Sequence, residues 1–599
     1  MEEPQHYYRD KLSTHQDILK KLKSRKNLLS GLRLGAVILL AAILYMFWNL
    51  GVLYLVSFSV LIAFIFIRFL HRDIANRAAI NHQETLIRLT QAEIGALQHQ
   101  YYQFADGEKL KPSEHYYALD MDILGHASIY QYCNRTTSEV GAQTLANWLL
   151  APAPEQVILQ RQEAIKELST QPSWNMELLA FGKENPLTNH TINRLQIWLQ
   201  EPTAFLQYKA WAWLRFVLPG IMLSIIGLRI AGIVSMNVVY FSLFLFAVLA
   251  YQLNKIIAPI HNQLSRMVDE ITTLAKSSTH IEGKEYQASL LNSLKNNFFY
   301  KGEKASSAIY ALKTILDRLD IRYNIVISFP LNVVLLWNLQ QVIDLEKWKV
   351  KHTNTVSAWF RALGEMEALV GFSTIAFNNP DWCFPSIENG HFNISATELG
   401  HPLINPGKRI NNYINIPQDT SLMVVTGSNM AGKSTYLRSV GVNVVLAMAG
   451  SAVCATAFSL SPVQLLSSMR ITDNLEESTS TFYAELKKLK TIIEKVNNHE
   501  KVFVLLDEIL RGTNSSDRHK GSVALMKQML KQHAAGIIAT HDLALAELKD
   551  SFPENIYNYH FDVQVSNDEL YFDYKLKPGV CQSLNASILM RKIGIEVSD

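Results

Sequence analysis

The chain has 599 residues, of which 48% are hydrophobic and only 18% charged, with a mean hydropathy of +0.04 and a formal net charge of +3. A soluble domain averages about 25% charged residues, so this chain is too apolar for a plain soluble enzyme, too rich in aliphatics and aromatics to be disordered, and too charged to lie in a membrane throughout. Near-balanced charge gives no bulk argument for a nucleic-acid or membrane partner and leaves that question to local patches. The four cysteines (Cys133, Cys383, Cys454, Cys581) are scattered and form no CxxC pair, which suggests neither a disulfide framework nor a zinc site and points to a reducing compartment.

Residues 1–33 read as a basic, cytoplasmic N-terminal segment. From Leu34 to Ile67 no charged residue occurs, and Asn49-Leu50-Gly51 interrupts the block near its middle. One span needs about 20 apolar residues, with about 17 as a lower limit. Residues 34–70 therefore read as a transmembrane hairpin, with one span plus a buried helix as the alternative. Residues 71–114 read as a helical connector, with one long helix over 72–104. Residues 115–211 read as core helices broken at Pro152 and Pro154. A second apolar block, Phe216 to Asn254, carries Arg229 as its only charge. A charge is costly at the bilayer midplane but not at a turn on the far surface. Residues 212–252 thus read as a second hairpin with spans over roughly 212–228 and 233–252; a snorkelling Arg229 in one tilted span is the alternative. Residues 253–384 read as further helices, long and continuous over 255–320. Lys and Arg flank both blocks on both sides, among them Lys26, Arg33, Arg68, Arg72, Lys209, Arg215 and Lys255. The positive-inside rule then keeps both termini and the intervening chain on one side. The expected location is multi-pass in the cytoplasmic (inner) membrane, with the C-terminal domain in the cytoplasm.

The texture changes at about residue 385. Short β-rich runs at 421–427, 501–508 and 536–542 alternate with helical segments, the pattern of an α/β nucleotide-binding sheet. Gly427-Ser428-Asn429-Met430-Ala431-Gly432-Lys433-Ser434, with Thr435 after it, matches G-x-x-x-x-G-K-S, follows a strand and precedes a helix-like stretch. That context marks a P-loop, whose backbone N–H groups face phosphate oxygens. Lys433 is expected to neutralise the β/γ-phosphates of ATP and Ser434 to ligate Mg²⁺. The apolar run Val504-Leu505-Leu506 ends in Asp507-Glu508; Asp507 is the expected second metal ligand, and Glu508 is expected to orient or deprotonate the attacking water. His541, at the end of a further strand in Thr540-His541-Asp542, is positioned to sense the γ-phosphate. The catalytic set is thus Glu508, His541 and Lys433. Ser480-Thr481-Phe482-Tyr483-Ala484-Glu485 reads as a helix N-cap with capping-box character.

TGSNMAGKSTYLRSVG, DNLEESTSTFYAEL, LLDEILRGTNSSDR and ATHD, in that order, resemble the ATPase domain of the MutS family. The segment 119–168 is similar to the start of the MutS core and lever, and EALVGFSTIAFNNPDWCFP (367–385) to its return. The resemblance implies a mixed fold, an α-helical lever/core domain carrying transmembrane hairpins plus a C-terminal ABC-like α/β P-loop ATPase domain over 385–599. It implies ATP and Mg²⁺ as cofactors and a homodimer with composite ATP sites. Ser480 would contact the γ-phosphate in the opposite subunit, Asp517 would sit in the loop that crosses to the partner, and Asn429 stands at a family-typical asparagine. Arg409 and Tyr574 fall near the positions that sandwich adenine.

Departures accompany the likeness. No mismatch-reading domain with a Phe-x-Glu pair is recognisable before the core, the second apolar block stands where a DNA clamp is expected, and Leu510 replaces the glycine expected before Arg511. The resemblance implies DNA as a partner, but these losses remove most contacts. DNA binding is therefore expected to be phosphate- or shape-driven and not mismatch-specific. Lys487, Lys488, Lys490 and Lys495 form a candidate patch, with a solvated helix face as the alternative. The functional expectation is a membrane-anchored MutS-like ATPase that couples ATP binding and hydrolysis to conformational change in DNA-structure processing or mismatch-repair-like work. The alternatives are an ABC-type transporter-like ATPase, for which the Leu-Ser-Gly-Gly-Gln signature is absent, and a membrane scaffold without DNA.

Overall fold

The structure, a computed structural model, describes residues 3–46, 52–388, 392–416, 421–428, 430–470, 481–566 and 569–582. The chain begins with two long helices, Pro4–Met46 and Val52–Leu97, that run antiparallel against each other. The break expected at Asn49–Gly51 lies outside the described residues. Polar residues set the register of this pair: buried Asp73 takes Arg33 at 3.1 Å and Arg77 at 2.9 Å, and Asn76 donates to the Leu22 carbonyl at 3.0 Å. The base of the hairpin docks on the helical core. Tyr8 is buried with Leu86, Met176 and Ala180, and its hydroxyl donates to Asn378 at 2.9 Å. Farther out, Leu34, Val37, Ile38, Val60, Leu61 and Phe64 are exposed.

Residues 115–128, expected to be helical, are not. Asp122, Gly125 and Ala127 adopt positive φ, and the first helix after them starts only at Ile129, capped by Ser128. Helices Glu139–Leu150 and Glu155–Ser169 flank the break at Pro152 and Pro154. Residues 255–320 are likewise not continuous. Helices Met236–Ser265, Val268–Glu282, Ser289–Asn296 and Ala305–Asp320 follow one another, with a short hairpin (Phe299–Tyr300 with Glu303–Lys304) between the last two. Lys301 and Gly302, both at positive φ, make its turn. The helix Val356–Asn378 runs through the core. Gly371 lets it press on the backbone at Cys133, where an added Cβ would lie 3.0 Å from the carbonyl oxygen.

Among the described residues, three helices are long and apolar enough to cross a membrane: Pro4–Met46, Trp211–Ile230 and Met236–Ser265. The last two form an antiparallel pair joined around Gly232, and Arg229 sits in the final turn of the first. Most of their apolar side chains are exposed, including Phe216, Leu223, Phe241 and Phe244.

Among the described residues the C-terminal part carries two larger sheets and a small hairpin, Gln564–Ser566 with Glu569–Tyr571. A four-stranded one joins Ser386–Ile387, Ala457–Leu460, Ile394–Leu399 and Asn412–Ile416. The six-stranded one runs, edge to edge, Leu576–Pro578, Ile556–Phe561, Leu422–Thr426, Ala535–Thr540, Val502–Asp507 and Gln464–Ser468. All its pairings are parallel except that of Leu576–Pro578. The three central strands are buried along their whole length, as expected for a parallel sheet covered by helices on both faces. The 116–124 segment is built into this domain: the Ser467 N–H donates to the Tyr116 carbonyl at 3.0 Å, and buried Asp120 accepts from Ser467 Oγ at 2.7 Å and from the Arg470 N–H at 3.0 Å.

Candidate active site

In this sheet Thr540 pairs with Thr426, and Ala539 with Asp507. The register brings the carboxyl ends of three strands into one row, where ligands bind in open α/β sheets. Leu422–Thr426 runs into Gly427, whose φ of 143° and close approach to the Phe561 carbonyl (2.8 Å from a would-be Cβ) leave no room for a side chain. Gly432, with φ of 103°, then opens the helix Lys433–Ala449. Lys433 is 1% exposed, and its Nζ donates to the carbonyls of Gly427 at 2.7 Å and Ser428 at 2.9 Å. Burial pulls its ammonium pKa down, against the pull of Glu508 and Asp507.

Ser434 Oγ donates to Asp507 Oδ2 at 2.5 Å. The pair joins the loop after one strand to the end of another, across the strand Ala535–Thr540. Burial pushes the Asp507 carboxyl up, although Ser434 and Arg511 favour its charged form. Glu508 follows at φ 49°, and its N–H donates to the Ala539 carbonyl at 2.9 Å. Its carboxylate faces His541 Nδ1 at 3.5 Å and Arg511 Nε at 3.4 Å. Lys433, Ser434, Asp507, Glu508 and His541, chosen from distant stretches of chain, are therefore gathered in one place.

The other candidates fall differently. Gly427, Ser428, Met430, Ala431 and Thr435 lie on the loop and first helical turn; Met430 and Thr435 are exposed and Ala431 is buried. Asn429 and Ser480 lie outside the described residues. Asp517 is exposed in the first turn of Ser515–Lys531, where its N–H and carboxylate both bind Asn514 at 2.8 Å. Tyr574 is placed against the loop: a Cβ on Gly432 would meet its ring at 3.0 Å. Arg409 makes contacts of its own. Its guanidinium bonds Asn411 at 3.1 Å and lines a cavity of about 180 Å³ with His99, Tyr132, Arg135 and Trp382, which holds no residue of the glycine-rich loop. The packing of Gly400 against the Arg409 stem turns it that way.

Two site residues escaped the sequence reading. Glu485 is buried, and its carboxylate accepts the N–H groups of Leu510 at 2.5 Å and Arg511 at 3.2 Å. Burial pushes its carboxyl up while those two donors pull it down. Arg511 bridges the strand end, with its side chain on the Asp507 and Glu508 carbonyls at 3.3 and 3.1 Å. The available signal was Glu485 itself, an acid on the inward stripe of an otherwise amphipathic helix (Thr481–Asn497).

As a binding site the arrangement fits Mg²⁺ and a polyphosphate. A hydroxyl and a carboxylate already meet, which are hard oxygen donors suited to Mg²⁺. The buried ammonium lies on the loop carbonyls of Gly427 and Ser428 and feels the nearby carboxylates of Glu508 and Asp507, a cation placed beside the glycine-rich loop as phosphate binding requires. Among the described residues no group of three or more His, Cys, Asp or Glu forms a separate metal cluster.

Residues 423–594 match the family model for MutS domain V. The chain is 28% identical over 252 residues to the DNA mismatch repair protein MutS of Natronomonas pharaonis, covering 41% of this chain and 28% of that protein. It is 33% identical over 195 residues to mouse MutS protein homolog 4, covering 31% and 20%. With the DNA mismatch repair protein MutS of Chlorobium chlorochromatii it shares 30% over 333 residues, covering 53% and 36%. The likeness to MutS proteins thus centres on the C-terminal part of the chain. The domain V match spans the glycine-rich loop, Asp507, Glu508 and His541, so the residues gathered by the fold all lie within the matched segment. The chain spans about a third or less of the length of these relatives.

Proposed function

We propose that this protein is a membrane-anchored, MutS-like ATPase that works as a homodimer with composite ATP sites and couples ATP binding and hydrolysis to a conformational change. The observation that carries the ATPase reading is the Ser434–Asp507 contact at 2.5 Å beside buried Lys433. Ser434 and Asp507 would hold Mg²⁺ and Lys433 the β/γ-phosphates; the metal would supply neutralisation of phosphate charge. Glu508 orients or deprotonates the attacking water, with His541 and Arg511 holding its carboxylate in place. The dimer reading draws on the family likeness at Ser480 and Asp517. The bilayer reading draws on the exposed apolar helices and their basic flanks.

Lys433→Ala is expected to weaken nucleotide binding. Glu508→Gln is expected to bind ATP and Mg²⁺ normally and to hydrolyse ATP about 100-fold or more slowly, the usual size of a general-base contribution. Wild-type turnover by Glu508→Gln would sink the assignment.

For DNA, we propose binding that follows phosphate or shape rather than a mismatch. One observation favours the second reading, a membrane ATPase or scaffold acting without DNA. The candidate patch is internally neutralised: Lys487 pairs with Glu114 at 2.7 Å, Lys488 with Asp120 at 3.2 Å, Lys490 with Glu494 at 3.7 Å and Lys495 with Glu500 at 2.6 Å.

A further inference from the structure

From Tyr323 to Ile343 the chain carries no charge. It is split there into two helices, Ile325–Leu335 and Trp337–His352, bent by 78° at Leu336, which takes a φ of 49°. The second helix enters the core. The first does not. At 1.5 Å per residue its 11 residues reach about 17 Å, roughly half of an apolar bilayer core. It packs on the inner side against both Trp211–Ile230 and Met236–Ser265, burying Ser328 and Val333. Its outer side is open: Ile325 is 76% exposed, Val326 79% and Phe329 63%.

Both ends of this short helix are tied to the charged base of the second hairpin. At the start, the Tyr323 hydroxyl donates to Asn262 at 3.4 Å, Arg322 reaches His261 Nδ1 at 3.3 Å, and His261 Nε2 meets Asp320 at 2.8 Å. At the finish, Trp337 Nε1 donates to the Arg318 carbonyl at 3.0 Å, Gln340 donates to the Arg215 carbonyl, and Arg215 pairs with Asp344 at 2.7 Å. Arg215 stands in the first turns of Trp211–Ile230, and His261 lies just past Lys255. Trp348 Nε1 also donates to the Ala308 carbonyl at 2.7 Å, so the helices before and after this one run antiparallel, with 308 beside 348 and 318 beside 337, and the short helix leaves and returns at one level of that pair, turned 78° from the second of them. It packs on the two hairpin helices whose Trp213, Phe216, Tyr251 and Ile256 are also exposed. Tyr323, Trp213 and Tyr251 are exposed aromatics, of the kind that gathers at a membrane–water boundary.

We propose that Ile325–Leu335 is an interfacial helix. It lies in the plane of the bilayer at the boundary of headgroups and acyl chains, with Ile325, Val326 and Phe329 in the lipid and Arg318 and Arg322 at the level of the phosphates. This rests on the reading of Trp211–Ile230 and Met236–Ser265 as membrane spans.

The test uses the full chain in vesicles of phosphatidylcholine and phosphatidylglycerol. A small fluorophore is attached at Val326→Cys, at Phe244→Cys within the hairpin, and at exposed Lys527→Cys in the C-terminal domain. Unsubstituted protein serves as the labelling blank for the native cysteines. Quenching is compared for nitroxide high on the lipid chain, nitroxide near its middle, and aqueous iodide. For Val326 we expect about twofold stronger quenching by the shallow nitroxide than by the deep one. Phe244 should show the reverse order, and Lys527 should respond to iodide alone. If Val326 responds like Lys527 while Phe244 reads deep, the interfacial helix is overturned and the hairpin stands. Val326 reading as deep as Phe244 also overturns it. If Phe244 itself responds like Lys527, the membrane spans fall and the interfacial helix falls with them.

Discussion

Glu485 illustrates how the site is held at the level of single residues. The backbone at Glu508 and Leu510 adopts φ of 49° and 59°, a left-handed conformation that costs a non-glycine residue roughly 1–2 kcal/mol. Two N–H groups of that loop end on one buried carboxylate, and hydrogen bonds to a charged group contribute about 1.5–3 kcal/mol. Glu485 thus offsets the strain that presents Glu508. Glu485→Ala is expected to lose about 2 kcal/mol in stability and to lower ATP turnover, with little change in nucleotide binding because Lys433 and Ser434 are untouched. Denaturant melts with a parallel nucleotide titration check this; unchanged turnover in a folded variant would refute the positioning role. Leu510 itself is explained in part by packing, since its side chain lies against Gly521, where a Cβ would come within 2.4 Å.

Helices and hairpins are joined by a few buried polar contacts; between the N-terminal hairpin and the core these include Arg135 on Glu93 and a clamp at His82. His82 sits on Val52–Leu97 and meets Glu177 at 2.8 Å and Glu184 at 2.6 Å, both on Pro172–Glu184. Hydrogen bonds to these two carboxylates raise its pKa to about 9, from about 6.5 in an unfolded chain. The folded state therefore binds the extra proton more tightly. The resulting stability is fully present below about pH 6.5 and is lost as pH rises through about 9. The melting temperature is expected to fall between pH 7 and pH 10, and to fall less in His82→Gln. Parallel pH curves for the two proteins would contradict the clamp. Sequence patterning placed the helices on either side of this clamp but carried the first to 104, where it ends at Leu97. Elsewhere it read 255–320 as long helix through Gly283 and the Lys301–Gly302 turn, because apolar periodicity persists across both sites while the backbone does not.

For the molecule as a whole, two predictions concern its surroundings. On the proposed reading of four spans with both termini cytoplasmic, a membrane-impermeant thiol reagent is expected to label Asn49→Cys from outside and to leave Ser30→Cys and Lys255→Cys unlabelled. Outside labelling of Lys255→Cys would reverse the orientation. Homoduplex and mismatched DNA are expected to bind within tenfold of each other, about 1.4 kcal/mol, and any binding should weaken steeply with salt. A preference above that at physiological salt would show that a segment of this chain reads bases.

The glycine-rich loop, the Asp507–Glu508 pair and His541 were legible in the sequence because each depends on local chemistry: glycine where backbone must approach phosphate, carboxylates after an apolar strand. The two long apolar blocks, one without charge and one with Arg229 alone, were legible for the same reason, since hydropathy adds residue by residue. What needed the tertiary structure was everything set by partners far along the chain. Ser434 meets Asp507 only because an intervening strand brings 426, 507 and 540 into one row. The apparent basic patch disappears because Glu114 and Asp120 fold onto it from more than 300 residues away. Glu485 reaches the 508–511 loop, and Arg409 lines a cavity with Tyr132 and Trp382. Charge pairing and cavity lining are properties of neighbours in space, and one-dimensional spacing carries no information about which neighbours arrive.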